Sequence, residues 1–174
     1  EKKKTRVVIA NKNTKIAKSI GKLISTSYYK IEYSKDVRGV EICSAIKNIY
    51  SMIIGAGEGL NAASSIFRKS ISEMVYLTKF FKGKEETAYG LAGLGDLYVS
   101  ALGGRNSRMG GYLGKGFSFQ KAKKKFMPND TIEGAELAFE IAPYILKKIN
   151  NKKIPLMIDL LNTILKNKKL NLRW

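Results

Sequence analysis

The sequence predicts a mainly α domain preceded by one short strand–helix–strand piece. Two observations lead to that class. Residues 6–35 change from an alternating pattern to a helical one and back, and from Gly39 onward apolar residues recur at helical spacing almost to the end. No internal repeat or low-complexity linker interrupts the second part. With 174 residues and 44% hydrophobic content, the chain is long enough for one domain with a real core, or one domain plus a fragment of another. The division expected is residues 1–36 for the α/β fragment and 37–174 for the helical domain.

In order along the chain, Arg6–Ala10 (RVVIA) is a β-rich run. Thr14–Ser27 follows with apolar residues at 16, 17, 20, 23 and 24, a helical period with Thr14 as a candidate cap. Tyr28–Ser34 alternates again. Strand, helix and strand within about thirty residues make one βαβ unit, which cannot complete a doubly wound sheet and so reads as the last piece of a larger α/β domain. Helices are then expected at 39–55, 60–80, 89–102, 106–113, 118–125, 131–148 and 154–167, with Phe81–Glu86 as a loop. Asp130 or Thr131 is the expected cap after Pro128, and Pro155 suits the first turn of the last helix.

Composition removes several function classes. There is no histidine, which excludes His-based triads and His-ligated zinc and leaves Lys, Asp, Glu and Tyr to move protons. The single cysteine, Cys43, allows no intrachain disulfide. No apolar run approaches a membrane span and no signal-peptide pattern opens the sequence, so a reducing, cytoplasmic setting is expected. The net charge of +18 is spread along the chain, with short clusters only at Lys2–Lys4 and Lys121–Lys125. No zinc-finger, RNP or helix-turn-helix spacing accompanies it, which favours attraction of a small anionic substrate over nucleic-acid binding.

Three segments could carry chemistry. In Gly39–Ile54, Ser44, Lys47, Asn48 and Ser51 fall on one narrow face at i, i+3, i+4 and i+7 of an otherwise apolar helix. Spacing alone serves two readings, a stripe turned to water or a stripe facing a cleft where Lys47 could exchange a proton. In Gly90–Gly111, Asp96 and Ser100 share a helix face, and the GGRN turn presents Arg105 and Asn106 at the start of a new helix. That arrangement can be a mobile surface turn, or a phosphate site built from a guanidinium fork, an amide and free N–H groups. In Thr131–Ala138, Glu133 occupies the first turn of a helix, where a carboxylate favours the dipole.

Taken together and in this order, the segments resemble the NAD(P)-dependent glycerol-3-phosphate dehydrogenases, specifically their C-terminal substrate domain. The markers are VVIA, DVRGVEICSAIKNI, SEM (Ser72–Met74), GLAGLGDL, GGRN and EGAELA. The resemblance implies a helical fold similar to the C-terminal domain of 6-phosphogluconate dehydrogenase, preceded by the last βαβ piece of a Rossmann-type dinucleotide-binding domain. It implies Lys47 as the catalytic lysine with Asp96 orienting it. Asn48, Ser100, Arg105 and Asn106 are implied on the substrate side, Arg105 and Glu133 against NAD or NADP. The implied substrate pair is dihydroxyacetone phosphate and glycerol 3-phosphate, with a homodimer as a possible assembly.

The chain departs from many bacterial relatives in its shorter GGRN spelling, which puts glycine at 104 where a serine would contact the substrate. The family's N-terminal half, with its glycine-rich phosphate loop and a second lysine, is not in this sequence, so the chain alone is expected to be inactive. Two rival readings remain open at this stage. One is a non-catalytic binding or dimerisation module on the same helical fold. The other is a dehydrogenase for another small phosphorylated hydroxy compound.

One stretch invites a different assignment. Ile53–Ala63 (IIGAGEGLNAA) has closely spaced glycines, as a dinucleotide fingerprint does. The fingerprint needs a preceding strand and a third glycine. Here the preceding run has helical period and position 60 is Leu. Gly55, Gly57 and Gly59 are therefore expected to end one helix and allow close packing before the next.

Overall fold

A computed structural model describes residues 3–173. Strands β1 (Thr5–Ala10) and β2 (Tyr29–Ser34) pair in parallel, with Thr5 opposite Tyr29 and Ala10 opposite Ser34, and α1 (Thr14–Ile24) connects them. The remaining elements are helical: α2 (Val37–Gly55), α3 (Leu60–Phe80), α4 (Glu85–Tyr89), α5 (Asp96–Ala101), α6 (Arg105–Gly114), α7 (Phe119–Phe126), α8 (Glu133–Lys148) and α9 (Pro155–Leu165). A mainly α domain after one βαβ piece is thus the observed architecture. Among the described residues, no helix is long and apolar enough to cross a membrane.

Helix α2 is the axis of the domain, with α3, α5, α6, α8 and α9 packed around it. Its Cys43, Ile46, Ile49, Tyr50, Met52 and Ile53 are buried in a core that also takes Met74 and Leu77 from α3, Met109 and Leu113 from α6, and Leu156, Leu160 and Leu161 from α9. Asp36 caps α2. One carboxylate oxygen accepts from the Gly39 N–H at 3.0 Å, and the other accepts from the Lys84 N–H at 2.7 Å and the Thr87 hydroxyl at 2.6 Å. Burial pushes this carboxyl up, but the bonds from Thr87, Lys84 and Gly39 outweigh it and hold Asp36 below the usual value.

The glycines of Ile53–Ala63 serve packing. A Cβ on Gly55 would lie 2.1 Å from the Ser107 carbonyl oxygen. On the facing helix, Cβ atoms at Gly110 and Gly114 would lie 1.9 Å and 2.4 Å from the carbonyl oxygens of Met52 and Ala56. Glycine on both sides lets α2 and α6 approach backbone to backbone. Gly59, at φ 81°, then turns the chain into α3.

Several boundaries differ from expectation. Asn13, not Thr14, caps α1, its side chain accepting from the Lys15 and Ile16 N–H groups. The segment read as a loop over Phe81–Glu86 already contains the start of α4. The helix read over 89–102 is broken at Gly90, whose backbone is extended, and resumes through a π-helical turn over Leu91–Gly95 closed by the Gly95 N–H on the Gly90 carbonyl at 3.2 Å. Glycine-rich composition tolerates both the break and the wide turn. Helix α8 runs through Pro143, which sits on the exposed face where a lost backbone bond disturbs the core least.

Neither Asp130 nor Thr131 caps α8. Ile132 holds the cap position without a side-chain bond, and the Gly134 N–H is satisfied from another helix, by the Asn106 side chain at 2.8 Å. Helix α9 is treated the same way. The Leu156 and Met157 N–H groups donate to the buried carboxylate of Glu73 on α3 at 2.8 Å and 3.1 Å, and the Tyr50 hydroxyl of α2 donates to Glu73 at 3.1 Å.

Candidate functional site

The polar stripe of α2 does not face open water along its length. It runs from exposed Ser44, through half-buried Lys47 and Asn48, to buried Ser51, whose hydroxyl donates to the Asn48 carbonyl at 3.0 Å. Lys47, Asn48 and Ser51 form one wall of an open depression of about 350 Å³, and the other walls are Ser100, Gly104, Arg105, Asn106 and Glu133. Three chain segments therefore converge there: the middle of α2, the α5–α6 turn and the N-terminus of α8.

The Lys47 ammonium donates to a carboxylate oxygen of Asp96. The lysine side chain keeps 21% of its exposure and the aspartate 36%. Local structure explains the aspartate's position: the widened turn over Leu91–Gly95 delivers it as the first residue of α5, and α5 lies against α2. Asp96 also lines a second depression of about 390 Å³, whose other walls include Thr5–Val8 of β1, Ser44 and Val99. The Lys47–Asp96 pair thus stands between two openings, one toward Arg105 and one toward the parallel strands.

On the other wall, Arg105 donates through Nη2 to Glu133. Asn106 is almost buried, at 6% exposure, and uses both ends of its amide: Oδ1 accepts from the Gly134 N–H, and Nδ2 donates to Glu133 at 3.3 Å. Gly134 is required by close approach. A Cβ there would meet the Asn48 carbonyl oxygen at 2.6 Å and Asn106 Oδ1 at 2.8 Å. The EG pair consequently seats α8 against the Lys47–Asn48 turn of α2 while turning the Glu133 carboxylate toward Arg105.

Lys47, Asn48, Ser100, Arg105, Asn106 and Glu133 lie at this convergence, Asp96 reaches it through Lys47, and Ser44 lines the second depression instead. The turn does not simply present Arg105 and Asn106 together: Arg105 is exposed, whereas Asn106 is committed to the α8 terminus. Ser51, read on the stripe with Lys47, completes the α2 wall. Gly134 was not among the site candidates and entered only within the EGAELA marker, because its need for glycine comes from a helix far away in sequence. Among the described residues, no cluster of metal-ligating side chains occurs.

A helical domain carrying Lys47 and Arg105 on one depression, with Asp96 bonded to Lys47, can be set beside known proteins. Residues 36–172 match the family model described as NAD-dependent glycerol-3-phosphate dehydrogenase C-terminus. The chain is 35% identical over 157 residues to an NADP(+)-dependent glycerol-3-phosphate dehydrogenase of Archaeoglobus fulgidus, covering 84% of this chain and 47% of that protein. It is 30% identical over 170 residues to a glycerol-3-phosphate dehydrogenase [NAD(P)+] of Halothermothrix orenii, covering 94% of this chain and 49% of that one. The crystal structure of glycerol-3-phosphate dehydrogenase from Coxiella burnetii superposes with a TM-score of 0.86 at 27% identity, covering 97% of this chain and 52% of the other. The chain belongs to the NAD-dependent glycerol-3-phosphate dehydrogenase family, through its C-terminal domain. It spans about half the length of the curated relatives it matches.

Proposed function

We propose that this chain is the substrate-binding part of a cytoplasmic glycerol-3-phosphate dehydrogenase that interconverts dihydroxyacetone phosphate and glycerol 3-phosphate. The observation that carries the reading is the placement of Lys47 and Arg105 on one small depression, with Asp96 bonded to the Lys47 ammonium from beside it. Arg105 offers its guanidinium fork to the substrate phosphate. Asn48 and Ser100 face the same space and suit the hydroxyl groups of the three-carbon body.

Lys47 is then the proton donor to the carbonyl oxygen in the reducing direction. In the oxidising direction it takes the proton from the same oxygen of glycerol 3-phosphate. Asp96 holds the ammonium in place by a charge-assisted bond. NADH or NADPH supplies the hydride when bound. The donor set fits the nicotinamide end of that cofactor, since Arg105 and Glu133 offer a guanidinium and a carboxylate at the rim of the Lys47 depression. Gly55 is spent on the α2–α6 contact, Gly57 packs against Ala63 and Ile66 of α3, and Gly59 turns the chain, so on this reading the dinucleotide loop belongs to the half of the enzyme this chain does not span, with residues 1–36 as the trailing edge of that half.

Steady-state kinetics of the enzyme completed with its dinucleotide-binding half tests the assignment. Lys47→Met keeps the stem and removes the proton, and should lower turnover by about 100-fold or more with the helical circular-dichroism signal intact. Asp96→Asn should impair the same step. A folded Lys47→Met enzyme with near wild-type turnover would refute the role.

A further inference from the structure

Both groups suited to hold a phosphate are already engaged, and by the same carboxylate. Arg105 Nη2 donates to one oxygen of Glu133 and Asn106 Nδ2 donates to the other at 3.3 Å. The amide cannot turn away, because its Oδ1 is fixed on the Gly134 N–H at 2.8 Å. Glu133 is also the first residue of the 16-residue helix α8, so its carboxylate sits where the helix terminus favours negative charge. The other cation on the depression, Lys47, is paired with Asp96. Each cation facing the site therefore carries an internal counter-anion, although the chain as a whole has a net charge of +18.

We infer that Glu133 is a specificity-determining residue that stands in for the substrate phosphate on Arg105 and Asn106 and must be displaced for an anion to bind. The inference rests on the reading of Arg105 as the phosphate anchor. Its consequence is discrimination by charge. A ligand carrying a carboxylate replaces one monoanion by another, against a competitor tethered at high effective concentration, and gains little. A phosphate ester is close to a dianion at pH 8 and brings a third acceptor oxygen, so it outcompetes the tethered carboxylate. Displacement also frees the Glu133 carboxylate at the rim of the depression.

Calorimetric titration of the enzyme completed with its dinucleotide-binding half, at pH 8 and fixed ionic strength, tests this, with glycerol 3-phosphate and glycerate as ligands and circular dichroism as the folding control. Arg105→Ala should abolish binding of glycerol 3-phosphate. Glu133→Gln keeps the shape and removes the charge. It should tighten glycerol 3-phosphate roughly 3–10-fold, the scale for a half-exposed ion pair reinforced by a second bond. Glycerate should gain by a larger factor, so that the preference for phosphate shrinks. If Glu133→Gln binds glycerol 3-phosphate no tighter than wild type while Arg105→Ala loses binding, the stand-in role is wrong and the phosphate anchor survives. If Arg105→Ala binds as well as wild type, or neither wild type nor Glu133→Gln binds at all, the reading of Arg105 fails and takes this inference with it.

Discussion

Glu73 should make the stability of this protein fall as pH rises through neutrality. The side chain is 2% exposed and accepts from the Leu156 and Met157 N–H groups and the Tyr50 hydroxyl. Burial pushes its carboxyl from 4.5 up to about 7, against the opposing pull of those three donors and of Lys69. Because the folded value is the higher one, the folded state holds more protons than the unfolded chain between those limits. Stability is then fully present below the unfolded value and is lost as pH rises through the folded one. At about 1.4 kcal/mol per pKa unit, the full excursion is on the order of 3 kcal/mol. The readout is clean because the chain has no histidine, the side chain that ordinarily titrates between pH 5 and 8.

Urea unfolding at a series of pH values measures the effect. Glu73→Gln removes the titration and one acceptor of the α9 terminus, so the variant should be less stable than wild type at pH 5 by about 1–3 kcal/mol. Its profile between pH 5 and 8 should be nearly flat, and the difference from wild type should therefore close or reverse as pH rises. A wild-type profile that is flat over this range, or a Glu73→Gln profile with the same slope, refutes the reasoning.

Two further predictions concern packing and cofactor binding. Gly110→Ala should cost about 3 kcal/mol or more in chemical denaturation, because the new Cβ would stand 1.9 Å from the Met52 carbonyl oxygen and only a separation of α2 from α6 relieves it; a loss within 0.5 kcal/mol would show that the helices can part freely. Calorimetric titration of this chain with NADH should detect no micromolar binding, since the glycines of Ile53–Ala63 pack helices rather than cradle a pyrophosphate, and micromolar affinity would overturn that account.

What was legible in the sequence was whatever repeats with a local period. The stripe of Ser44, Lys47, Asn48 and Ser51 followed from helical spacing on an apolar helix, and so did α2 and α3 almost to the residue. The βαβ piece followed from the switch of period at Thr14 and Tyr28. The break at Gly90 was not legible, because glycines inside an apolar run are compatible with a continuing helix, and only the contact of α5 with α2 decides how the turn is made. The caps of α8 and α9 were illegible for a stronger reason. Local rules look for a side chain within the first turn or just before it. Here the acceptors are Asn106 and Glu73, separated by 28 and 83 residues from the N–H groups of Gly134 and Leu156 that they satisfy.

These remote caps tie the fold to the site. A helix terminus satisfied by its own preceding residue can form before it docks, but one satisfied from another helix gains its bond only on docking. Glu73 fixes α9 to α3 and, through the Tyr50 hydroxyl, to α2 less than one turn beyond Lys47. Asn106 fixes α8 to α6 and brings Gly134 against the Asn48 carbonyl. The position of α2 relative to the α8 terminus, and hence of Lys47 relative to Arg105, is set by side chains that need not touch substrate. Changes at Glu73 should accordingly act on stability first, with any change at the depression following from movement of α2. Changes at Asn106 should act on both together, because the amide that completes α8 also donates to the Glu133 carboxylate facing Arg105.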